Sequence, residues 1–191
     1  MNQSHLTYLA SPAWADTLRT RLLPWLRDRV TDLGDVLEIG PGPGRTTDLL
    51  LELGATVTAV EIDADLARDL RRRLPEATVI HGDAVTADLP AHRFTTATCF
   101  AMLHHMPSPQ HQDRLFTRLR QVLRPGASLV GTDAIDSPVL RQAHHDDTFV
   151  PVDPDTLPAR LTAAGFEHIV VTPHDEHHFR FSATTPVTTR R

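Results

Sequence analysis

The segment Val36-Leu37-Glu38-Ile39-Gly40-Pro41-Gly42-Pro43-Gly44 constrains this chain more than any other. A short apolar run ends in three glycines alternating with two prolines, a pattern that no regular element can contain. Helical spacing follows from 45 to 53, and Gly54 fits the C-terminal cap of that helix. Strand, glycine turn and helix in that order form the place where open α/β sheets bind ligands, beyond the carboxyl ends of their strands. Glycines there let a ligand lie against the backbone and permit positive φ. The helix start, Arg45-Thr46-Thr47, offers unpaired N–H groups and a positive dipole end to a carboxylate.

The rest of the chain repeats this alternation. Strand-like runs are expected at 55–62, 77–80, 94–101 and 127–133, with helices at 64–74 and 110–123 and a turn at Arg124-Pro125-Gly126. A helix over 154–164 and strands at 166–172 and 178–183 close the pattern. Six or seven strands separated by helices argue for an α/β, doubly wound, mostly parallel sheet. Upstream, Trp14, Leu18, Leu22, Trp25, Leu26 and Val30 describe a helical stripe that Pro24 is expected to break, while residues 1–9 read as a loose tail. The two tryptophans read as packing residues. The expected organisation is one domain over 1–191: an N-terminal helical cover (1–30), a cofactor-binding core (31–133), a lid loop (134–152), and a C-terminal helix and strands (153–191).

Bulk properties narrow the class. A length of 191 residues suits one such domain, and 40% hydrophobic with 23% charged residues describes a globular chain. A net charge of -5 speaks against a dedicated nucleic-acid binder, and all basic residues are Arg. A single cysteine, Cys99, excludes an intrachain disulfide or a thiolate zinc cage. No run resembles a signal peptide or a membrane span, so a cytoplasmic location without membrane contact is expected. Twelve histidines include the clusters His144-His145-Asp146-Asp147 and His174-Asp175-Glu176-His177-His178. Neither has a recognised zinc spacing, and both read as solvated surface, so no metal is expected.

The glycine loop alone leaves several ligands open. It reads G-x-G-x-G, with Arg45 where the dinucleotide fingerprint has its third glycine, and it lacks the Gly-Lys-Ser/Thr of a phosphate loop. The acidic residues sharpen the reading. Glu61 closes the next strand, 21 positions after Gly40, where a carboxylate can accept hydrogen bonds from both ribose hydroxyls. Asp83, in His81-Gly82-Asp83-Ala84, can accept from an adenine amino group, and the segment from Cys99 to Met106 can wall the base.

Together these motifs, with Leu103-His104-His105-Met106 and Leu123-Arg124-Pro125-Gly126, resemble the class I S-adenosylmethionine-dependent methyltransferases of the small-molecule type, from about Asp35 to Asp133. The resemblance implies a Rossmann-like, seven-stranded sheet with the last strand antiparallel, and S-adenosylmethionine as cofactor. It implies that Glu38 orients the methionine amino group, that Gly40, Gly42 and Gly44 pass the methionine and ribose, and that Glu61 holds the ribose. Asp83 would hold the adenine, with Ile62, Ala84, Phe100 and Ala101 beside the cofactor. One departure stands out: many relatives carry an acid just after the Phe that opens the fourth strand, and here Phe94 is followed by Thr95 and Thr96.

The expected chemistry is in-line methyl transfer, in which positioning is the protein's main task. His104 and His105 stand where a general base could act, although either could equally cap a helix or face solvent. The expected partner is a small-molecule acceptor, with nucleic acid unlikely, and the chain itself is expected to be a monomer or homodimer. A ribosomal-RNA adenine dimethyltransferase shares the first two motifs but carries an Asn-x-Pro-Tyr type segment where this chain has Ala101-Met102-Leu103-His104-His105-Met106. An aminopropyl transferase would want several pocket acids, and an arsenic methyltransferase several cysteines. A non-catalytic S-adenosylmethionine-binding protein would keep the loop and lack an acceptor pocket.

Overall fold

A computed structural model describes residues 3–187. Its centre is a seven-stranded sheet formed by β1 (Asp35–Ile39), β2 (Thr56–Glu61), β3 (Thr78–His81), β4 (Phe94–Phe100), β5 (Leu123–Ala134), β6 (Glu167–Pro173) and β7 (His178–Thr184). The strand order is β3-β2-β1-β4-β5-β7-β6. The first five strands pair in parallel, and β7 runs antiparallel to both β5 and β6. This is the doubly wound arrangement with an antiparallel last strand expected from the sequence. β1 lies inside the sheet between β2 and β4, and Val36, Leu37, Glu38 and Ile39 are all buried because helices cover both faces of a parallel sheet.

The helices are α1 (Gln3–Leu9), α2 (Pro12–Thr17), α3 (Leu23–Arg29), α4 (Arg45–Glu52), α5 (Ala64–Arg73), α6 (Pro109–Val122), α7 (Pro138–Ala143) and α8 (Leu157–Ala163). Leu115, Phe116 and Leu119 of α6 and Leu157 and Leu161 of α8 pack with Leu129, Phe179 and Phe181. A second cluster joins Leu26 of α3, Leu50 of α4 and Ala67 and Leu70 of α5 to Val57 and Val130. Leu129 and its neighbour Val130 thus feed different clusters, as alternation along a strand requires.

Four local expectations are corrected. Pro24 does not break the N-terminal helix. A π-helical stretch, Leu18–Leu22, joins α2 to α3, with the Leu23 N–H bonded five residues back to the Leu18 carbonyl. The wider turn accommodates a proline ring that an α-helix interior would exclude. Residues 3–9 are helical rather than a loose tail: Arg45 Nε and Nη2 donate to the Ala10 carbonyl (3.0 and 2.6 Å), and the Tyr8 and Trp14 rings lie 5.6 Å apart. The start of that expected tail lies outside the described residues. The stretch 134–152 is not wholly irregular, because β5 runs on to Ala134 and Ser137-Pro138 starts α7. The Ser137 hydroxyl accepts the Leu140 N–H, the same serine–proline helix start seen at Ser11-Pro12 and Ser108-Pro109. Arg124-Pro125-Gly126 is absorbed into β5 beside a register irregularity against β4. Among the described residues no helix is long and apolar enough to cross a membrane.

Candidate functional site

The glycine turn links β1 to α4, and all three of its glycines have positive φ: 64° at Gly40, 55° at Gly42 and 81° at Gly44. Their surroundings differ. A Cβ on Gly44 would come within 2.3 Å of Leu70 Cδ1 and 2.4 Å of Arg73 Nη2, so this glycine permits α5 to pack against the turn. A Cβ on Gly42 would meet nothing within 4 Å, so the backbone there faces open space. Arg73 Nη2 also donates to the carbonyls of Pro43 (2.8 Å) and Gly44 (3.0 Å), holding the turn from behind.

Glu38, at the end of β1, is 2% exposed. Its carboxylate accepts from the hydroxyls of Thr46, in a very short contact, and Thr47 (2.6 Å), tying β1 to the first turn of α4. Burial pushes its pKa up to about 7, against the two hydroxyl donors and with help from Asp48 and Glu61. Glu61, at the end of β2, is 5% exposed. It accepts the Gly42 N–H on Oε2 and the Asp63 N–H on Oε1, both at 2.9 Å. A carboxylate has about four acceptor positions, so two bonds leave capacity for two more. Next to it Ile62 is 70% exposed, a large apolar side chain left open to solvent beside an acid.

Asp83 follows β3. Its Oδ1 accepts the Val85 N–H (2.8 Å), and its Oδ2 lies 3.0 Å from His111 Nε2 on α6. Ala84 is buried behind it. Across the sheet, Phe100 ends β4 and is half-buried, and Ala101 adopts φ 52°, rare for a residue with a Cβ. That twist turns the chain into the short 3₁₀ segment Leu103–His105. Asp133, fully buried on β5, organises it by accepting the Leu103 N–H (2.8 Å) and the Ala134 N–H (2.8 Å) and facing His104 Nδ1 (2.7 Å). His105 sits beside His104, and burial, then the neighbouring His104, lowers its pKa to about 3. A group so reluctant to hold a proton is a poor base near neutrality.

The expected cofactor residues therefore gather at one edge of the sheet, around the ends of β1, β2, β3 and β4. The sequence reading did not assign the threonine pair under Glu38, the His111 partner of Asp83, or the Asp133 anchor of His104. The Thr46-Thr47 pair was visible at a helix start opposite a buried acid; the other two partnerships span 28 and 29 positions and had no local signal. The missing acid after Phe94 is replaced by Thr95, whose hydroxyl donates to the carbonyls of Leu33 (2.7 Å) and Asp35 (3.2 Å).

The sheet thus carries an acid-hinged glycine turn after β1, at the carboxyl ends of its parallel strands, where open α/β sheets bind ligands. Residues 36–126 match the family model described as a methyltransferase domain. The PH0226 protein of Pyrococcus horikoshii shares the fold at a TM-score of 0.77, with 17% identity over 92% of each chain. The chain is 43% identical over 81 residues to a probable ribosomal RNA small subunit methyltransferase A of Haloarcula marismortui, covering 39% of this chain and 28% of that one. It is 37% identical over 101 residues to ribosomal RNA small subunit methyltransferase A of Leptothrix cholodnii, covering 50% of this chain and 37% of that one. The chain thus spans well under half the length of these two relatives. Over residues 36–126 it is similar to the methyltransferase-domain family, and it shares its fold, at a TM-score of 0.76 and 17% identity over 91% of this chain and 93% of the other, with a SAM dependent methyltransferase of Archaeoglobus fulgidus.

These relatives correct one expectation. A small-molecule acceptor with nucleic acid unlikely does not stand against relatives named for ribosomal RNA. Net charge, on which that expectation partly rested, sums the whole chain and does not report the surface around a site.

Proposed function

We propose that this chain binds S-adenosylmethionine across the glycine turn and transfers its methyl group to an acceptor held at the same sheet edge. The observation that carries this reading is Glu61: a buried carboxylate hinged to the Gly42 N–H, with acceptor capacity left for a ribose and Ile62 open beside it. The residues present fit the cofactor, since Gly42 faces unfilled space and Asp83 offers a partly exposed carboxylate.

The bound cofactor supplies an activated methyl group; this chain supplies position. Glu61 would fix the ribose and Asp83, steadied by His111, the adenine amino group. Ile62, Ala84, Phe100 and Ala101 would flank the base, and the Gly40 and Gly42 backbone would pass the methionine portion. Glu38 would act through Thr46 and Thr47 by setting the α4 start, whose N–H groups would receive the carboxylate of the methionine. Of the expected cover, the described residues 3–30 serve that role, with 134–152 as a lid.

A second reading concerns the acceptor. The named relatives favour ribosomal RNA, and a dimethyladenosine transferase of Schizosaccharomyces pombe, 32% identical over 112 residues, favours an adenine in it, although the turn after β4 is written differently here. Labelled methyl transfer from S-adenosylmethionine to the RNA and RNA-free fractions of a cell extract tests both readings. Counts in RNA, lost after nuclease, support the adenine acceptor. Counts only in the RNA-free fraction refute it, and no counts in either refute methyl transfer.

A further inference from the structure

Three histidines from two separate segments converge beside the site. His104 and His105 lie in the turn after β4, and His144 caps the end of α7. One ring nitrogen of each lies within 4.8 Å of those of the other two. The ring centroids are 4.2 Å apart for His104 and His105, 5.0 Å for His104 and His144, and 5.2 Å for His105 and His144.

The outer contacts orient two of these rings. Asp133 takes two backbone N–H bonds, so its carboxylate meets His104 Nδ1 as an acceptor, which places the ring proton on Nδ1. His104 Nε2 then carries a lone pair in a residue only 3% exposed, and it has no hydrogen-bond partner among the described residues. His144 Nδ1 lies 2.8 Å from the Leu140 carbonyl, which can only accept, so in the neutral ring Nε2 again carries the lone pair. His105 Nδ1 is 3.8 Å from Asp147 Oδ2. A buried nitrogen without a donor facing it costs about 1–3 kcal/mol, and that cost falls on His104 Nε2.

We infer that His104, His105 and His144 form a binding site for one divalent transition-metal ion of the zinc class. Three imidazoles suit zinc, cobalt or nickel, whereas magnesium and calcium take oxygen ligands. Asp133 behind His104 gives the carboxylate–histidine–metal arrangement that fixes a ligand ring and raises its basicity. Tetrahedral coordination at about 2.0–2.1 Å needs the three nitrogens roughly 3.4 Å apart, a modest closing of the observed cluster. Three protein ligands leave a fourth position for water or an acceptor atom. The ion would also tie the end of α7 to the turn after β4, pinning the 134–152 segment over the sheet edge. No recognised zinc spacing exists in the sequence because the ligands are 39 positions apart and meet only through the fold.

The test uses the full chain without an added histidine tag, stripped with chelator, and titrated with cobalt(II) and zinc(II) alone. One equivalent should bind, with cobalt d–d absorption bands and a rise in Tm of about 5–10 °C at zinc a hundredfold above its Kd. His144→Ala, at the buried C-cap of α7, and His105→Asn should each weaken binding at least tenfold. His145→Ala, whose side chain is 81% exposed, should leave it unchanged. The inference is overturned if no ion binds, if His144→Ala binds as the parent does, or if His145→Ala is weakened equally, which would place the ion on the surface. Since metal alone is measured, the outcome is independent of whether the chain binds S-adenosylmethionine.

Discussion

Three glycine-to-alanine changes separate folding from ligand space. Gly54, Gly44 and Gly42 all have positive φ, at 83°, 81° and 55°. A Cβ in that backbone region costs roughly 1–2 kcal/mol whatever surrounds it. Gly54 and Gly42 have nothing within 4 Å of an added Cβ, so each variant should lose only that amount. Gly44→Ala adds contacts at 2.3 and 2.4 Å with Leu70 and Arg73. Overpacking of this kind costs about a further 1–3 kcal/mol, for a total of about 2–5 kcal/mol. In urea unfolding the order should be Gly54→Ala and Gly42→Ala together, then Gly44→Ala well below them. Calorimetry with S-adenosylhomocysteine should give a different order. Gly54→Ala should bind as the parent does, while Gly42→Ala should lose at least tenfold in affinity despite its mild folding cost. Equal affinity in those two variants would refute the claim that the space beside Gly42 is the ligand's. A Gly44→Ala variant as stable as Gly54→Ala would refute the packing argument.

Other outcomes follow from the same contacts. Glu38 has a folded pKa near 7 against an ordinary 4.5, so the folded state holds an extra proton between those values. Its contribution is therefore most favourable below about pH 4.5 and is lost as pH rises to 7, by about 3 kcal/mol in all. Unfolding of Glu38→Gln beside the parent at several pH values should show that slope removed; an unchanged slope would assign it to other groups. Asp133→Asn leaves one of three buried donors without an acceptor and should cost about 1–3 kcal/mol in urea. His111→Ala should weaken S-adenosylhomocysteine binding by about tenfold or less, because one hydrogen bond that steadies Asp83 is worth roughly 1 kcal/mol. No change at all would mean that Asp83 is positioned by Val85 alone.

The parts of this molecule that were legible in its sequence are those that a few adjacent residues decide. The apolar run into Gly40-Pro41-Gly42-Pro43-Gly44 could only be a strand entering a turn, and Glu61 could only close the next strand. The helix start at Ser11-Pro12 follows a capping rule, and the same rule applied at Ser108-Pro109 and Ser137-Pro138 would have placed the start of α6 and found α7. What stayed hidden depends on distant residues meeting. His111 reaches Asp83 only because α6 packs over the end of β3, and Asp133 reaches His104 only because β5 pairs with β4. The π-helical stretch before Pro24 was illegible for a different reason: proline announces that an α-helix cannot continue unaltered, but not whether the chain breaks or widens.

The central claim is tested most directly by calorimetric titration of the chain with S-adenosylmethionine and S-adenosylhomocysteine, with NAD and ATP as controls and Glu61→Ala alongside. Binding of the first two only, lost in the variant, is the predicted result. Binding of NAD instead, or full affinity without the Glu61 carboxylate, would contradict the assignment of the glycine turn.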